Sequence, residues 1–116
     1  MHLLRYIRYN NILGLKYYAD MKDAPLYDLL RQVNIKTENQ LISLSDTSSQ
    51  YCPYTERSTG AYTIFYQGGP IDYETHVQSP VAKSSSESEY NAACTSGTDL
   101  ANSRMLIHEL LKKINL

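Results

Sequence analysis

The sequence has no tryptophan, one phenylalanine and only two cysteines among its 116 residues. It also lacks a long apolar run. None approaches the roughly 18–20 residues a membrane span needs, so no membrane partner is expected. The opening Met1-His2-Leu3-Leu4-Arg5 has no apolar signal-peptide core. Cys52 and Cys94 show no CxxC spacing, which argues against zinc. They read as free thiols in a reducing compartment, so the expected location is intracellular, cytoplasmic or nuclear. No Gly-x-Ser-x-Gly elbow, P-loop or Gly-x-Gly-x-x-Gly pattern occurs, which removes the commonest hydrolase and nucleotide-binding signatures. The formal net charge of −1 is not the basic excess of a free-standing nucleic-acid binder.

What is present is uneven. Residues 1–38 hold six Lys/Arg against four Asp/Glu, +2, while residues 39–116 hold five against eight, −3. An acidic second half suits metal-binding carboxylates or a plain solvated surface. Eleven tyrosines suit half-buried strands and amphipathic faces.

Leu3, Leu4 and Ile7 form an apolar stripe beside Arg5 and Arg8, which predicts a short helix over 2–9. Leu26 to Val33 predicts a second, with Pro25 suited to its first turn. Residues 34–40 are polar and read as a linker. Three strands follow. Residues 41–46 alternate, with Ile42, Leu44 and Asp46 on one face. Residues 61–66 are β-branched and aromatic, and residues 71–77 alternate again after a Gly68-Gly69 turn. A long helix is expected from Ser86 towards Ile114, about 40 Å, with a kink near Gly97. Its apolar positions are Tyr90, Ala93, Cys94, Gly97, Leu100, Ala101, Met105 and Leu111. The fold class is therefore α+β: three antiparallel strands, then one long helix, with a short N-terminal helical segment.

Asp46 and Glu89 are the residues that most invite chemistry. Two-metal phosphodiester hydrolysis needs several carboxylates around cations about 3.5–4 Å apart. Magnesium prefers oxygen ligands and keeps some water. A strand-end aspartate and a first-turn helical glutamate suit such ligands. The bland readings are an Asx turn at Asp46 and a capping box of Ser86 and Glu89. Both stay open on the residues alone. His2, His76 and His108 have no evident partner, and Arg5, Tyr6, Arg8 and Tyr9 read as a docking helix before a nucleic-acid contact.

Several short motifs stand in a fixed order: Leu4-Arg5-Tyr6-Ile7, Ser45-Asp46, Thr55-Glu56-Arg57-Ser58-Thr59, Ala61 to Gly69, and Ser84-Ser85-Ser86-Glu87-Ser88-Glu89-Tyr90. Together they resemble the ribonuclease H region of copia-type retrotransposon polyproteins, with part of the connection from the reverse transcriptase. The resemblance implies a connection segment at 1–38 and a partial ribonuclease H-like domain at 39–116. It implies that Asp46 and Glu89 are catalytic, metal-binding carboxylates for Mg²⁺, acting on the RNA strand of an RNA–DNA hybrid.

The departures are equally specific. The family follows its aspartate with alanine-aspartate-tryptophan, where this chain has Thr47-Ser48-Ser49. Glu56 replaces an arginine of the family's turn. The third aspartate of the family lies on a strand after the long helix, which this sequence does not reach. Asp99 lies about 15 Å along the helix from Glu89 and is not expected to substitute. The resemblance thus implies a chain inactive on its own, with the strand at 41–46 open on one side. Two other functions compete: an interaction module that self-associates or pairs with another chain through that edge and the long helix, and nucleic-acid binding by the basic N-terminal helix.

Overall fold

The computed structural model describes residues 2–35, 41–48 and 54–114. Element order is α1 (His2–Tyr9), a 3₁₀ turn (Met21–Asp23), α2 (Pro25–Gln32), β1 (Leu41–Ser48), β2 (Thr59–Tyr66), β3 (Gly69–Val77) and α3 (Ser85–Lys113). The protein is α+β, with one three-stranded antiparallel sheet in the order β1-β2-β3.

Each strand is longer than its pattern predicts. Thr59 and Gly60, expected in the turn, pair with Ser48 and Thr47. The β2–β3 turn places Gln67 and Gly68 at φ +51° and +76°, the two positive values a tight type I′ hairpin requires. A bulge at Ile64/Phe65 then shifts the β2–β3 register. Of the expected linker, residues 36–40 lie outside the described residues, as do Ser49 to Pro53 with Cys52.

Directly paired residues share a sheet face. Leu41, Ser43, Ser45 and Thr47 therefore face the same way as Tyr66, Ile64, Tyr62 and Gly60. This is the face that carries α3, which packs mainly on β1 and less on β2. The opposite face carries Ile42, which joins Met21, Ala24 and Leu30 in a small core edged by Tyr18, Leu26 and Tyr27. Asp20 caps the 3₁₀ turn by accepting from Lys22 N, and Pro25 starts α2. Tyr17 donates from its hydroxyl to Pro70 O at 2.8 Å, fixing the N-terminal segment to the hairpin end.

The long helix differs from expectation in two ways. Its N-cap is Ser84, which accepts from Glu87 N at 3.1 Å, while Glu87 accepts from Lys83 N at 2.7 Å. The cap therefore sits two residues before the expected Ser86–Glu89 pair, because Ser84 and Glu87 have the same spacing and lie closer to Pro80. The buried face is also different. Ser88, Ala92 and Ser96 are buried, whereas Tyr90, Ala93, Cys94, Gly97 and Met105 are exposed. Small side chains let the helix approach a sheet face that is itself lined by Ser43, Ser45 and Thr47. Leu100, Ile107 and Leu111 continue that stripe half-buried, and α3 passes Gly97 as one element.

At 29 residues α3 is about 43 Å long, against about 27 Å for an eight-residue strand. Its second half thus overhangs the sheet. Among the described residues α1 buries no side chain and contacts no other element. These projections explain a radius of gyration of 16.7 Å, where about 13 Å is usual for this length. No helix among the described residues is long and apolar enough to cross a membrane.

Candidate functional site

The C-terminal end of β1 meets the first turns of α3. Thr47 donates from its hydroxyl to Glu89 Oε1 at 3.1 Å. Because Ser84 and Glu87 cap the helix, Glu89 is not used by the cap, and its carboxylate is exposed beside the strand end. Strand alternation turns Asp46, which precedes Thr47, onto the opposite sheet face. Asp46 is exposed and pairs across the ladder with Ala61. The structure therefore brings Glu89 to Thr47, and does not bring Asp46 onto the face that Glu89 contacts. Asp46 continues the strand to Ser48, so no Asx turn forms at Thr47 or Ser48.

Among the described residues, no three His, Cys, Asp or Glu side chains group closely enough to hold a metal ion. A two-Mg²⁺ centre needs more hard oxygen donors on one side than Glu89 and the Thr47 hydroxyl provide. The donor set does not fit such a centre.

The same sheet face carries a second polar group that periodicity does not show. Tyr62 is 5% exposed beneath α3. Its hydroxyl lies 2.5 Å from Asp99 Oδ2 and 3.1 Å from Glu74 Oε2. A phenol carries one proton. The shorter contact makes Asp99 its stronger acceptor. Asp99, weighed in the sequence only as a distant carboxylate, thus fastens α3 to β2. Glu74 extends the group to His76, whose Nδ1 lies 3.3 Å from Glu74 Oε1 without hydrogen-bond geometry. The histidine without an evident partner has a carboxylate neighbour. Next to it, the buried Gln78 donates from Nε2 to Ser88 O at 2.9 Å, tying the chain after β3 to the start of α3. Gln78 Oε1 and Ser88 Oγ have no protein partner there. The tyrosine–aspartate–glutamate group was detectable only as a pair of acids and a tyrosine on separate elements, since no short motif joins them.

Burial, then the hydrogen bonds to Asp99 and Glu74, push the Tyr62 phenol well above its ordinary value of 10.0. In the unfolded chain this phenol ionises near pH 10, while in the folded chain it stays protonated. The folded state then holds one more proton, so stability is full below about pH 10 and falls as pH rises beyond it. Urea midpoints measured from pH 8 to 11 should drop above pH 10 in the wild type and drop less steeply in Tyr62→Phe. Equal slopes would show that Tyr62 ionises as freely folded as unfolded.

Neither family models, nor curated proteins, nor solved structures give a match to this chain.

Proposed function

We propose that this chain is a fragment of the reverse transcriptase/ribonuclease H part of a copia-type retrotransposon polyprotein. Its ancestral chemistry is Mg²⁺-dependent hydrolysis of RNA in RNA–DNA hybrids, and the 116-residue chain does not perform it alone. The observation that carries the reading is the Thr47–Glu89 contact: a second-turn glutamate of the long helix, free of the cap, set against the end of the first strand. The ordered motifs and the succession of three antiparallel strands and one long helix support it. Residues 39–116 carry the nuclease-like part and residues 1–38 the connection. Asp46 and Glu89 are the ancestral metal-binding positions. Their placement relative to the sheet supports the loss of activity, because a shared metal needs both on one side.

A cleavage assay on a labelled RNA–DNA hybrid with Mg²⁺ tests this. Cleavage by the purified chain should not rise above a protein-free control. Cleavage that Asp46→Asn abolishes would overturn the inactivity. The architecture is tested separately by nuclear Overhauser contacts: absence of proximity between Thr47 and Glu89 would remove the observation that carries the reading.

A second reading is favoured by β1 itself, which among the described residues pairs on one side only. In that reading the chain is a non-enzymatic interaction module that pairs through the strand edge and the helix beside it.

A further inference from the structure

The two edges of the sheet are built differently. The β3 edge carries Pro70, Asp72, Glu74 and His76, and lies beside the bulge at Ile64/Phe65. Proline, charge and bulges are the usual means of blocking edge pairing. The β1 edge has none of them except one charge, Asp46, in Leu41-Ile42-Ser43-Leu44-Ser45-Asp46-Thr47-Ser48, and its ladder to β2 is regular. Leu44 stands exposed in the middle of this strand.

The helix above that edge is split by charge. From Ser85 to Asp99 it has three acids, Glu87, Glu89 and Asp99, and no base. From Leu100 to Lys113 it has three bases, Arg104, Lys112 and Lys113, against Glu109. The Thr47–Glu89 contact at one end, with Leu41 beside Gly97 to Leu111 at the other, shows that α3 runs antiparallel to β1. It sits closest to the open edge strand rather than over the middle of the sheet.

We propose that the β1 edge pairs with the β1 edge of a second copy of this chain, antiparallel, about a two-fold axis at Leu44. This rests on the interaction-module reading and names its partner. The pairing gives one continuous six-stranded sheet with both α3 helices on the same face. The two-fold makes these helices antiparallel, so Arg104 of each comes towards the other's first turn, which carries Glu87, and their dipoles oppose favourably. An edge about 27 Å long with one helix flank covers on the order of 600 Å² a side, and about 1,200 Å² in total is the lower end of specific interfaces. Its affinity depends on these contacts rather than on area, so the dimer is sought in a concentration series. A heterologous strand donor or a hybrid on this edge are the competing occupants.

Sedimentation equilibrium from about 5 µM to 1 mM, with circular dichroism to verify folding, tests the proposal. The wild type should pass from monomer to dimer across this range. Leu44→Lys and Leu44→Glu should each stay monomeric, since like charges then oppose across the axis, and an equimolar mixture of the two should dimerise. Arg104→Glu, exposed on the helix, should weaken the dimer about tenfold. A wild type that stays monomeric at 1 mM overturns the proposal. So does a dimer that folded Leu44→Lys and Arg104→Glu leave unchanged, because another surface then makes it. The readout is blind to cleavage, so its failure leaves the ribonuclease H-like reading standing.

Discussion

Ile64→Ala should lower the unfolding free energy by about 3–4 kcal/mol, the cost of removing a large side chain from a site that cannot collapse. Ile64 is fully buried at the centre of the middle strand, opposite Ser43 on β1 and Asp72 on β3. Its directly paired neighbours, Ser43 and Asp72, are polar, and Tyr62 beside it is held by Asp99, so the space is refilled poorly. A domain of this size has about 5–15 kcal/mol in total, so the variant spends much of its margin. In urea the midpoint should fall while the slope stays constant. A loss below about 1 kcal/mol would show that α3 does not seal this face.

Gly68→Ala should cost about 2–4 kcal/mol through two separate causes. The residue holds φ +76°, where a side chain adds strain, and an added Cβ would stand 2.3 Å from Ala24 Cβ. Ala24 belongs to the small core with Met21, Leu30 and Ile42. Relief of that overlap means lifting the N-terminal segment off the hairpin. Hydrogen exchange should therefore show faster exchange at Tyr27 and Leu30 together with the turn. Loss confined to the turn would mean that the segment at 17–32 is not held there.

The order and kind of the three strands and three α-helices were legible from alternation, β-branched and aromatic content and helical spacing, whereas the 3₁₀ turn at Met21–Asp23 was not. The docking of the N-terminal segment was not. It depends on Tyr17 and Ala24 meeting two glycines some fifty residues away, which no local pattern encodes. The buried face of α3 was misread for a related reason. Its apolar residues mark a stripe, yet the sheet below it is lined with serine and threonine, and the close approach selects Ser88, Ala92 and Ser96 instead. The cap was misread because a run of serines offers the same spacing at two registers.

At the candidate site the sequence placed Asp46 on one strand face with Ile42 and Leu44, and the structure keeps that alternation. What it left open was which face the helix covers. Ile42 packs against the N-terminal core, so Asp46 shares that side, and Thr47 meets Glu89 on the other. One residue of register separates a shared metal site from two unrelated carboxylates. The group of Tyr62, Asp99 and Glu74 lay outside any motif, since it forms only when β2, β3 and α3 come together.

The most direct measurement is a Mg²⁺ titration followed by carboxyl-carbon NMR of Asp46 and Glu89. The account predicts no saturable shift common to the two residues, since they lie on opposite faces. Coincident, saturable shifts at both would place them around one ion and contradict it.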